Sequence, residues 1–155
     1  MRGKNEFLCP CNAFNSNIKS EQMKITAFVE SKKNHHLVKV DSNGESKELK
    51  INSGANGFGS GITGGEFLFL AIASCFCNDL YREAKKRDIL IDKVVVEASG
   101  EFDAEGAPGH SLTYKVKVDG DASKTELDAL IAQTDKVAEI HNTLRQGVDV
   151  TLVKN

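Results

Sequence analysis

Residues 66–87, EFLFLAIASCFCNDLYREAKKR, constrain this chain more than any other stretch. Their apolar spacing predicts one long helix, a rod of about 33 Å. The first half is apolar all round, so it has to be buried on every side. The second half becomes amphipathic and ends in basic residues, which suit a helix C-terminus. A helix buried all round is hard to house in one small domain, which points to packing against a partner subunit. The same stretch holds Cys75 and Cys77. On a helix these lie about 200° apart, so the two thiols face different surroundings and form no joint site unless the helix breaks. Cys77 reads as a packing residue. For Cys75 two readings stand: a small buried hydrophobe, or a nucleophile at the edge of a pocket.

Composition narrows the partners. The chain has 155 residues, 40% of them hydrophobic, enough for one domain with a real core. Its net charge of −2 offers no basic excess for a nucleic-acid partner. No apolar run approaches the roughly 20 residues that span a bilayer, so no membrane partner is expected. The first residues carry no apolar signal-peptide core. A cytoplasmic location follows as the expectation, with cysteines resting as thiols. The cysteines form two Cys-x-Cys pairs, Cys9/Cys11 and Cys75/Cys77. Structural zinc sites use wider spacings and histidine companions, so neither a metal nor a cofactor is expected.

Residues 1–22 are polar and aperiodic and read as an N-terminal extension, with one domain over 23–155. MKITAFVE and HHLVKVD alternate as strands, and Asn43-Gly44 signals a hairpin turn before a third strand, ESKELKI. NSGANGFGSGITGG, residues 52–65, lacks the phosphate-loop pattern and reads as a mobile loop bordering a pocket. After the long helix come the strands KVVVEASGEFD and SLTYKVKVDG. Ser123 and Glu126 form a capping box that opens a second helix over 124–146, which Gly147 ends. VDVTLV is the last strand. The order β-β-β-α-β-β-α-β is that of an α+β domain.

GGEFLFLAIASCFCNDL resembles the central-helix motif of the OsmC/Ohr family, with its glutamate, apolar run and small residue before a cysteine. The element order and VAEIHNTLRQGVDVTL, similar to that family's second helix and closing strand, extend the resemblance from Met23 to Val153. It implies an OsmC-like intertwined homodimer in which sheets wrap two long helices, with pockets at the interface. It also implies reduction of organic hydroperoxides by a peroxidatic cysteine, here Cys75, which a second cysteine resolves and Arg and Glu groups assist.

Three departures stand out. The resolving cysteine of a Cys-Pro-x-Ser-type segment is replaced by Ala138, with His141 where the serine would be. The early-strand loop has only Lys32 and Lys33 in place of an arginine. Gly65 occupies the usual glutamate position, and Glu66 follows at the spacing of other branches. Nine residues are about 180° of helix, so Glu66 points away from its own Cys75 and would serve a partner's pocket.

The candidate catalytic residues are therefore Cys75, Glu66 and His141, the last placed either as a satisfied interface histidine or as the cation that lowers the Cys75 pKa. His35 and His36 read as exposed. Cys9 and Cys11 read as exposed extension thiols, with the option of resolving Cys75 in trans. Two functions compete. One is a thiol peroxidase that reduces an apolar hydroperoxide through Cys75 and is recycled by an external thiol. The other is a non-catalytic protein binding a small apolar ligand at the dimer interface.

Overall fold

The computed structural model describes residues 22–154, so Cys9 and Cys11 and nearly all of the extension lie outside the described residues. The chain forms two compact units, divided between Gly59 and Ser60.

The first unit holds β1 (Ile25–Lys32), β2 (His35–Ser42) and β3 (Glu45–Leu49), an antiparallel sheet in that order. Ser42 pairs with Glu45, leaving Asn43 and Gly44 as a two-residue turn with φ of 53° and 90°. Both values are left-handed, as the Asn-Gly pair requires. The glycine-rich segment is tied to the other hairpin rather than left loose: Asn34 N–H donates to the Gly57 carbonyl at 2.7 Å, and Gly59 N–H to Ser31 Oγ at 2.9 Å. A Cβ at Gly57 would stand 2.3 Å from Asn34 Oδ1, which is why that position carries none. Val38 is the buried hydrophobic of this sheet, while Ile25, Phe28 and Val29 remain exposed.

The second unit contains α1 (Gly64–Lys85), β4 (Ile91–Glu101), β5 (His110–Gly120), α2 (Lys124–Val137) and α3 (Glu139–Gln146). β4 and β5 pair antiparallel, and their alternate residues Val94, Val96, Tyr114, Val116 and Val118 pack against the core. That core is Phe76, Leu80 and Ala84 of α1 with Leu130 and Ala138. Both long helices open on reciprocal capping boxes, Thr63 with Glu66 and Ser123 with Glu126. Gly147 closes α3 in the left-handed conformation, as expected. The α+β class is thus present, with the order β-β-β-α-β-β-α-α.

Two elements differ from the expectation. The second helix is broken at Ala138, whose ψ of 112° is extended. The carbonyls freed by the break find side-chain donors instead: Asn142 Nδ2 reaches the Lys136 carbonyl at 3.0 Å, and Arg145 Nη1 reaches that of Asp135 at 3.0 Å. The second difference is the closing segment 148–153, which is not a strand. Val148, Val150, Leu152 and Val153 are all exposed, so nothing pairs with or covers them among the described residues. Nor is the first half of α1 buried all round: Ile72 is buried, Phe67, Leu68 and Phe69 are half-buried, and Leu70 is exposed. No described helix is long and apolar enough to cross a membrane.

Candidate functional site

Cys75, Asp79 and Arg82 follow at intervals of four and three residues, which places all three on one stripe of α1. The Cys75 thiol donates to Asp79 Oδ2 at 3.2 Å. Arg82 Nη1 holds the other oxygen, Oδ1, at 2.9 Å. The same Nη1 lies 3.0 Å from Glu139 Oε1 at the first position of α3, so one guanidinium clasps two carboxylates from two helices. Behind it, Lys86 reaches Glu83 Oε1 at 2.6 Å, and Arg82 Nε lies 3.4 Å from that oxygen. Asp79 is only 5% exposed and could not stay there unpaired.

The helix break shapes this site. Ala138 caps α3 with no side-chain hydrogen bond. The Ile140 backbone N–H faces the Cys75 sulfur, so the thiol sits at a helix N-terminus. That N–H lowers the Cys75 pKa, but burial is the larger influence and raises it, and the Asp79 and Glu139 carboxylates add to the rise. The net direction is upward, so near neutral pH Cys75 is a thiol that donates a hydrogen bond. Burial raises the Asp79 carboxyl as well, whereas Glu139, hydrogen-bonded by Asp79 and Arg82, is lowered despite its own burial. Of the two acids, Asp79 is the one disposed to take a proton.

Sγ of Cys75 and the carboxylate oxygens of Asp79 and Glu139 lie within 4.8 Å of one another, a donor set that could hold a cation. The Arg82 guanidinium already supplies the countercharge there.

The other expected site residues fall elsewhere. Glu66 Oε2 accepts the Thr63 N–H at 2.7 Å and the Thr63 hydroxyl at 2.8 Å, bonds that lower its pKa. It caps the start of α1, roughly 13 Å along the axis from Cys75. His141 is 5% exposed, but the thiol's hydrogen-bond partner is Asp79. The imidazole packs instead edge-on against Phe76 and Tyr114, with ring centroids 5.6 Å and 4.6 Å away. Neither of its nitrogens has a hydrogen-bond partner among the described residues. Burial, with Arg145 second, lowers its pKa, which favours the neutral ring over the cation that was one of its two expected roles. It borders a cleft of about 100 Å³ with Ile72, Leu112 and Leu144.

Ala138 is fully buried in the core against which Cys75 packs, so the resolver position does face the thiol's surroundings. At Gly65, a Cβ would stand 3.2 Å from the Phe102 ring, a tight approach for any larger residue there. Asp79 and Arg82 were not singled out from the sequence. Their signal was the spacing to Cys75 along one helix, whereas the arginine was expected in the early-strand loop.

Residues 57–153 match the family described as OsmC-like protein. Among solved structures, the chain is similar to an OsmC-like protein from Mycoplasma pneumoniae, with a TM-score of 0.57 and 22% identity over 83% of this chain and 90% of that one. It is also similar to an organic hydroperoxide resistance protein OsmC from Legionella pneumophila, with a TM-score of 0.52 and 20% identity over 80% and 92% of the two chains. An OsmC-like protein of unknown function from Vibrio cholerae gives a TM-score of 0.52 at 13% identity over 79% and 92%. These likenesses are likenesses of fold. No curated protein matches the sequence. With nearly the whole of the second unit inside the matched region, the chain belongs to the OsmC-like protein family.

Proposed function

We propose that this OsmC-like protein reduces organic hydroperoxides through Cys75, with an external thiol as the reductant. The observation that carries this reading is the placement of Cys75: a thiol at the N-terminus of α3, hydrogen-bonded to a buried carboxylate that an arginine holds. Arg82 offers from α1 the cation that the early-strand loop lacks. The name of the Legionella pneumophila structure, an organic hydroperoxide resistance protein, is in keeping with this reading. Ala138 cannot resolve a sulfenic acid, so turnover requires two equivalents of a small thiol: the first forms a mixed disulfide and releases water, and the second frees Cys75. A cytoplasmic setting would supply such thiols.

The working unit is a homodimer in this proposal. The exposed apolar side chains of β1, Leu70 and the segment 148–153 are the surfaces a second copy would cover. Glu66, which is remote from its own Cys75, would then serve the partner's pocket. Purified protein should consume cumene hydroperoxide in the presence of dithiothreitol, and Cys75→Ser should abolish this. Equal rates for the two proteins overturn the proposal. Sedimentation should give twice the chain mass.

The cleft beside His141 favours a second reading, binding of a small apolar ligand, because apolar side chains form most of its wall. Thermal stabilisation by such a compound that survives Cys75→Ser would select it.

A further inference from the structure

Two carboxylates stand near the Cys75 sulfur, and they are not equivalent. Asp79 accepts the thiol's hydrogen bond, is almost wholly buried and lies on the same helix. Glu139 has a side chain 63% exposed and meets the site through Arg82 and Asp79. Among the described residues, the charged groups that face the thiol are Asp79 and Arg82 from α1 and Glu139 from α3. The strands packed against the core contribute apolar side chains there.

We propose that Asp79 is the proton acceptor of Cys75: thiol and carboxylate share one proton, and Arg82 holds the carboxylate in place to take it as the sulfur reacts. This rests on reading Cys75 as a peroxide-reducing thiol. In the step, the sulfur attacks the terminal oxygen of R–O–O–H. An S–O bond forms and the O–O bond breaks. The thiol proton passes to Asp79 and from there to the departing alkoxide, so R–OH leaves and Cys75 remains as the sulfenic acid. Sulfur gives up two electrons and the peroxide receives them. One residue thus acts first as base and then as acid. Glu139 is the electrostatic counterweight: it repels a thiolate, reaches the thiol's proton only by way of Asp79, and its pairing with Arg82 keeps the guanidinium shared between the two acids.

The distinction gives opposite signatures. Removing either carboxylate makes the thiol easier to ionise, because a nearby negative charge is lost. Only removal of the acceptor slows the reaction with peroxide. The experiment measures Cys75 in two ways, peptide by peptide, in the wild type, Asp79→Asn and Glu139→Gln. One arm is the pH dependence of alkylation by iodoacetamide. The other is the rate of oxidation by one equivalent of cumene hydroperoxide.

The expected result is that both variants lower the alkylation midpoint, with Asp79→Asn labelled about fivefold faster at neutral pH. Glu139→Gln is then oxidised faster than the wild type, and Asp79→Asn about a hundredfold slower. Oxidation that accelerates in both variants alike overturns the proposal, as does an unchanged midpoint in Asp79→Asn. The alkylation arm needs no peroxide. A lowered midpoint in a protein whose wild type ignores hydroperoxide upholds the shared proton and overturns the peroxidase reading alone. Circular dichroism and a cooperative melting transition like those of the wild type identify a folded Asp79→Asn variant.

Discussion

Arg145 grips Asp135 twice, through the carboxylate at 2.6 Å and through the backbone carbonyl at 3.0 Å. The two residues stand on either side of the break at Ala138, so a single side chain from α3 finishes α2. The carboxylate also accepts the Tyr114 hydroxyl. Arg145→Gln should therefore destabilise the fold by about 1 kcal/mol, the partial exposure of the pair keeping the figure low. Denaturant unfolding measures it.

The same cluster predicts an alkaline effect. Burial, then the bond to Asp135, pushes Tyr114 up to about 12 from its ordinary 10.0. Folding thus favours the protonated phenol. That contribution is complete below pH 10 and is lost as pH rises through about 12. Ultraviolet titration should show one of the two tyrosines ionising near pH 12 while the fold persists.

His141 is a buried polar ring without a partner among the described residues, so an apolar ring of similar shape should be tolerated or preferred. His141→Phe is expected to be neutral or to stabilise by about 1 kcal/mol. Its pH dependence adds a sign. The unfolded chain protonates His141 near the ordinary 6.5, and the folded chain resists until lower pH. Stability therefore falls as pH drops below 6.5, and the variant should lose part of that slope. Melting temperatures measured across the acid range provide the check. A steeper slope in the variant would contradict this account.

Ala138→Cys restores a thiol at a fully buried position in the core that Cys75 packs against. One equivalent of hydroperoxide should then join Cys75 and the introduced thiol in an internal disulfide, seen as a loss of two hydrogens in the intact mass. Bridging requires Cα atoms within about 7 Å. A lasting sulfenic acid at Cys75 in the variant would show that the pair does not meet.

The uncovered segment 148–153 gives a further test. Val150 is fully exposed, and on a strand it shares a face with Val148 and Leu152. If a second copy covers that face, Val150→Glu should weaken self-association at least about tenfold, which sedimentation over a concentration series would read. Unchanged association would remove this segment from the interface.

Much of the fold was legible because its signals are local. Asn43-Gly44 dictates its turn through two left-handed φ values, Ser123 with Glu126 marks a helix start, and alternation assigns β4 and β5. The break at Ala138 was not legible, since alanine favours helix and no proline intervenes. It rests on tertiary partners, Asn142 and Arg145, that take over the freed carbonyls. Thr63-x-x-Glu66 carries the same capping signal as Ser123-x-x-Glu126, yet Glu66 reads as a site residue when only its spacing to Cys75 is weighed. At the site, the cysteine was legible from its helix and its resemblance. Its partner was not, because the resemblance offered a glutamate and the second helix a histidine, and only the fold places Asp79 against the sulfur and His141 against Phe76 and Tyr114.

The start of α3 looks onto a residue of α1. A helix end that faces a sulfur atom feels any change in the charge or bulk of that atom. Converting the thiol to its sulfenic acid alters what the Ile140 N–H faces, so the first turn of α3 becomes a reporter of the redox history of the molecule. Hydrogen exchange at residues 140–142 would read that history in solution, with no substrate present and no turnover required.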